Sequence, residues 1–249
     1  MTQKSNTERG KDRMWRAIVA FTKRLEKVPG WRRWKSAHFA RVMYADDELF
    51  PDRPEVFEFP APIDKQHEIV LQYLGLIEAV DLVKSCEYYF RRYPFRGLPI
   101  ARHEHIANIC EMYFGRFYEF KERLKKFTKA IAVVEPNHGL DFGRLIKQFE
   151  REFDSELRAR NQVHHHQRFS DLAIEQVYIT SVASQIRVGM GWGDEHLAAY
   201  RKTAKEWAHR AKERGRRLDD FLEAIAEATC VCCGFISELA PLPAPTGKP

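Results

Sequence analysis

Apolar residues recur every third or fourth position along most of this chain, the period of a helix with one buried face. Ile69, Tyr73, Leu76, Val80 and Val83 predict a first long helix from Gln66 to Phe90, closed by Tyr93-Pro94 and Leu98-Pro99. The clearest run comes next: Ile106, Cys110, Tyr113, Phe117, Phe120, Leu124, Phe127 and Ile131 mark a helix from His103 to Val133. Pro136-Asn137-His138-Gly139 is a turn cluster. A third helix begins at Asp141 and carries Phe142, Leu145, Ile146, Phe149, Phe153 and Leu157 on one face. Ser170-Asp171 supplies a cap for a fourth helix over Leu172 to Val188. Gly189 to Asp194 breaks it, and a last helix runs from about Glu195 to Glu238, with Leu197, Tyr200, Ala204, Ala208, Ala211, Gly215, Leu218, Leu222 and Ile225 inward. Long helices with short connections predict an all-α fold, an antiparallel helical bundle over residues 63–240.

The N-terminal quarter has a different texture. A polar start precedes a short basic helix, Met14 to Val28, ended by Pro29-Gly30. Trp31 and Trp34 then alternate with Arg32, Arg33 and Lys35. Such a mixture suits stacking on unpaired bases, and equally an aromatic anchor onto the main body. Pro51 to Pro62 is proline-rich, and its alternating stretch Val56-Phe57-Glu58-Phe59 suits one edge strand. Residues 1–62 thus read as a basic and aromatic N-terminal extension with a connector, and residues 241–249 as a disordered tail.

Composition narrows the class. The chain has 249 residues, 44% hydrophobic and 31% charged, the balance of a globular protein. Its net charge of +6 permits a polyanionic partner without demanding one. No apolar run approaches the roughly 20 residues that cross a bilayer, and the start lacks the apolar core of a signal peptide. A cytoplasmic protein without a membrane partner is expected. Cys86, Cys110, Cys230, Cys232 and Cys233 show no zinc-type CxxC spacing and are expected to be buried thiols.

Candidate chemistry is concentrated between Arg158 and Arg168, where arginines and histidines occur without a carboxylate. Arginine grips phosphate with paired hydrogen bonds, and histidine moves protons near neutral pH. Extending the third helix at about 100° per residue puts Arg160 on the face of Phe142 and Phe153. His164 falls within about 40° of that face, while His165 and His166 turn away. An arginine there needs an acid, a phosphate or a wet cleft; Glu119 or Glu122 on the preceding helix would supply the acid. Adjacent histidines rarely aim at one metal ion, so no metal or other cofactor is expected. On the last helix, Arg201, Lys202, Lys205, Arg210, Lys212, Arg214, Arg216 and Arg217 outnumber Glu206 and Glu213. That run is either a phosphate-tracking surface or a solvated face.

The arrangement resembles the R-x4-6-H signature of HEPN domains, with a polar residue after the arginine. Arg160-Asn161-x-x-x-His165 fits it; Arg158 with His164 or His165, and Arg160 with His166, fit as well. The helix Met112 to Lys126 is similar to the aromatic, basic helix that precedes the motif in larger HEPN proteins. The likeness spans roughly Lys65 to Glu238. It implies a metal-independent endoribonuclease in which the RNA 2′-OH attacks the adjacent phosphorus. It implies Arg160, Asn161, His164 and His165 as the catalytic set, with Arg158, His166, Arg168, Arg201 and Lys205 binding RNA. Two motifs would meet across a homodimer, and the setting would be phage defence or a toxin–antitoxin pair with an antitoxin partner. The competing expectation is a non-catalytic helical protein that binds RNA or a protein partner.

Overall fold

The computed structural model describes residues 9–44, 56–95, 97, 99–165 and 168–240, the side chains of His164 and His165 excepted. Among these residues the fold is all-α, with nine helices and no strand. None of the helices is long and apolar enough to cross a membrane. Residues 241–249, assigned to a disordered tail, lie outside the described residues, as do 51–55 of the connector. The chain packs as two compact units: residues 1–72, 129–140 and 223–249 form unit 1, and residues 73–128 and 141–222 form unit 2.

Unit 1 is held by α1 (Gly10–Leu25), which starts before the sequence-expected Met14 and buries Met14, Ala17, Ile18, Phe21 and Leu25. Its first residue must be glycine-sized: a Cβ on Gly10 would lie 2.4 Å from the backbone nitrogen of Glu227. Arg13 donates to the Cys230 carbonyl at 3.3 Å, and Phe21 packs edge-on against Phe235 at 5.2 Å. The basic, tryptophan-bearing segment is itself a helix, α2 (Trp31–Tyr44), none of whose residues is buried. Trp31 stacks on Trp34 and meets Phe57, Phe59 and His67, as the aromatic-anchor reading expects. Val56 to Phe59 is irregular rather than an edge strand; Phe57 and Phe59 both pack against Trp31.

Unit 2 carries most of the apolar periodicity. The long helices α3 (Ala61–Arg91) and α4 (Arg102–Val134) run antiparallel there, Tyr73 meeting Phe127 and Phe90 meeting Tyr113. Asp141 caps α5 (Phe142–Glu152), its carboxylate accepting from the Arg144 amide at 2.8 Å. The expected third helix is two helices, α5 and α6 (Asp154–His165), parted at Phe153. Helical hydrogen bonds bracket the break, from Phe153 N to Phe149 O and from Leu157 N to Phe153 O. Phe153 leaves helical geometry at φ −113° and ψ 27°, its ring buried against Phe117, Phe149 and Phe221.

Asp171 caps α7 (Leu172–Ile186) through the Ile174 amide at 2.8 Å. Gly189 and Gly191, at φ 83° and 81°, then turn the chain through the left-handed region into α8 (Trp192–Cys232). The last sequence-expected helix also ends early: Cys233 departs from helical geometry and caps α9 (Gly234–Leu239) in unit 1. All five cysteines are free, and all but the half-buried Cys232 are buried. Burial pushes the Cys86 and Cys233 thiols up to about 11, which leaves them inert.

Candidate functional site

Asp154 and Glu156 sit in the first turn of α6, where the helix dipole favours negative charge. Glu156 is also the most demanding residue of unit 2, because its carboxylate is fully buried. Arg214 of α8 grips both its oxygens, Nε to Oε1 at 3.1 Å and Nη2 to Oε2 at 2.5 Å. Arg210, one turn earlier, adds a bond at 3.2 Å, Ser155 one at 2.8 Å and the Tyr113 hydroxyl one at 3.4 Å. Burial pushes the Glu156 carboxyl up; hydrogen bonding and charge from Arg214, with Ser155 and Arg210, outweigh it and hold the group below the usual carboxylate range. The cluster pins α6 to α8 and thereby fixes what α6 presents one turn later.

That next turn carries Arg160. Its guanidinium lies over the ring of Tyr118 on α4, 3.9 Å from the centroid, and its Nη1 donates to Asn161 Oδ1 at 3.4 Å. Lys121 adds a second cation 5.2 Å from the same ring. The expected acid partners are committed elsewhere on α4: Glu119 pairs with Arg116 at 2.8 Å and Arg123 at 2.6 Å, and Glu122 pairs with Lys125 at 2.8 Å. These are neighbours at helical spacing, so Glu119 and Glu122 are satisfied along their own helix and Tyr118 receives Arg160. Arg160 is thus held over a π face, with its charge uncompensated by any carboxylate among the described residues.

The remaining candidates scatter. Arg158 is exposed and pairs with Asp154 on its own helix at 2.5 Å. Arg168 reaches back to the first turns of α4, donating to the Glu104 carbonyl at 3.4 Å and to Asn108, with Glu111 at 3.9 Å. Its α4 partners centre on Asn108, ten residues before Tyr118, or about 15 Å along that helix. Arg160 and Arg168 therefore do not share one phosphate within a single chain. Arg201 and Lys205 are exposed on α8. The α8 basic run divides: Arg210 and Arg214 serve Glu156 and Arg217 pairs with Glu152 at 3.2 Å, so those arginines are structural. The side chains of His164 and His165, and His166 entirely, lie outside the described residues. Among the described residues no three histidine, cysteine, aspartate or glutamate side chains are grouped to hold a metal ion.

Sequence reasoning missed Tyr118 and the Glu156 cluster. One signal was present: Glu156 falls three residues after Phe153 and four before Arg160, a carboxylate on an apolar stripe. Searches against protein-family models, curated proteins and solved structures find no match for this chain.

Proposed function

We propose that this chain is a metal-independent endoribonuclease of the HEPN type, acting as a homodimer. The observation that carries the reading is Arg160, its guanidinium over the Tyr118 ring and hydrogen-bonded to Asn161, without a carboxylate partner among the described residues, on a helix whose sequence runs on into His164-His165-His166. In this reading a histidine, His165 by spacing, takes the ribose 2′-OH proton as that oxygen attacks phosphorus. Arg160 meets the charge that builds on the phosphate oxygens, the 5′-oxygen leaves with a proton, and a 2′,3′-cyclic phosphate remains. Asn161 orients the arginine. A setting in phage defence or a toxin–antitoxin pair rests on the family resemblance alone. Cleavage is expected to persist in EDTA and to leave 2′,3′-cyclic phosphate and 5′-hydroxyl ends. Dependence on added divalent metal, with 5′-phosphate products, would overturn the mechanism.

One motif offers few proton carriers, and a second copy doubles them. Support for that copy comes from α7, which is apolar on the wrong side. It turns Ile174, Val177 and Thr180 inward and leaves Tyr178, Ile179, Val182 and Ile186 outward, with Ile179 61% and Ile186 74% exposed. An apolar stripe of this kind, with the exposed Glu175 at its N-terminal end, suits a self-complementary two-fold contact. Sedimentation is expected to show a homodimer at micromolar concentration, and Ile179→Lys with Ile186→Lys to yield a folded monomer with cleavage reduced in step. A monomeric wild type that still cuts RNA would refute the shared site. RNA binding without cleavage would favour the non-catalytic reading, for which the exposed Arg201, Lys202 and Lys205 speak.

A further inference from the structure

Helix α5 sorts its charges by face. Its acids are engaged: Asp141 caps the helix, Glu150 pairs with Lys121 of α4 at 3.5 Å, and Glu152 lies 3.8 and 3.2 Å from Arg214 and Arg217 of α8. Its cations are not. Arg144, Lys147 and Arg151 are exposed, and none of them pairs with a carboxylate among the described residues. Their spacing of three and four residues sets them on one stripe, about 10 Å long at the helical rise. With Gln148 they line a depression of about 400 Å³. A lone surface cation is ordinary. Here each acid of the helix is drawn to a cap or a neighbouring helix, and a field of one sign is left outside.

We propose that this stripe is a backbone-binding rail for single-stranded RNA, its two guanidinium groups and one ammonium taking successive phosphates without reading the bases. The proposal rests on the ribonuclease reading of Arg160, which lies on the next helix of the chain, α5 and α6 being parted only by Phe153. Its length suits a few phosphates of one strand. A lipid surface is disfavoured, since Phe149, the bulkiest apolar residue mid-helix, is buried on the opposite side.

The test uses the full-length protein with Arg144→Gln, Lys147→Gln and Arg151→Gln combined; glutamine keeps the helix. The probe is a labelled 2′-O-methyl oligonucleotide, which lacks the attacking hydroxyl and cannot be cut. Fluorescence anisotropy across a salt series is expected to show the slope of log affinity against log salt falling by about 2, and affinity at 0.1 M salt falling roughly 10- to 100-fold. Cleavage of a trinucleotide, too short to reach the rail, is expected to stay at the wild-type rate. Slope and affinity equal to wild type would overturn the rail, and the ribonuclease reading would survive if Arg160→Ala abolishes cleavage in the same assay. A lost slope in a protein that cuts no RNA would uphold the rail and sink the ribonuclease reading. A wild type that binds no oligonucleotide would overturn the rail.

Discussion

Arg160→Ala is expected to lower RNA cleavage by about a hundredfold or more while leaving helical circular dichroism unchanged. On the ribonuclease reading, the substitution removes the planar donor for the phosphate oxygens. It costs the fold the contact with Tyr118, about 0.5–2 kcal/mol for a cation over an aromatic ring, and an exposed hydrogen bond to Asn161. Arg160→Lys should recover part of the activity at most, because an ammonium keeps the charge but loses the flat, two-pronged geometry. His165→Ala is expected to cost a comparable factor, about 10²–10⁴ for a lost general base. Wild-type rates in His165→Ala would transfer the role to His164 or His166, and wild-type rates in the triple alanine variant would remove the motif from the mechanism. Single-turnover cleavage of a short labelled RNA measures all of these.

Glu156→Ala is expected to destabilise unit 2 by about 3–5 kcal/mol, because it strands Arg214 without its buried counter-charge. Urea unfolding followed by circular dichroism would show it, and a loss below about 1 kcal/mol would mean the cluster is not the anchor of α6. Replacing Glu156 by Leu and Arg214 by Met together should restore much of the loss, since a packed apolar pair replaces a buried ionic one at little cost. By contrast Asp154→Ala breaks only the exposed pair with Arg158 and should cost about 0.5 kcal/mol. The pH dependence follows from the depressed carboxyl of Glu156. Its stabilisation is fully present at neutral pH, starts to fall as the pH drops to the ordinary value of 4.5, and is gone below the lower folded-state value. In Glu156→Gln that acidic loss should flatten.

Where one face of a helix decides its existence, the sequence was enough. Asp141 and Asp171 announce their helices because a short carboxylate at a helix start has a specific job, and both carry it out. Period alone could not reveal the break at Phe153. The phenylalanine stays on the apolar stripe and the hydrogen bonds on either side persist, so nothing in the spacing changes. The azimuth read for Arg160 agrees with its position all the same: Phe149, Phe153 and Arg160 all meet side chains of α4. Its acid partner was misassigned because Glu119 and Glu122 have arginine and lysine neighbours within their own turn. Helix α2 escaped notice because it buries no stripe, leaving no apolar period to read.

Unit 1 is assembled from both ends of the chain, and that has a consequence for the order of events during synthesis. Arg13 leaves the ribosome 217 residues before Cys230, whose carbonyl it will bind, and Gly10 waits as long for the backbone at Glu227. The last residue assigned to unit 2, Leu222, is made just before the segment that completes unit 1. A nascent chain can therefore close unit 2 while α1 still holds Met14, Ile18 and Phe21 without the C-terminal residues that cover them. The loop so closed is long, and its entropy is lost late. α1 is then the segment that stays open longest to a chaperone or a protease, and arrested translation short of the final helices would leave it open for good.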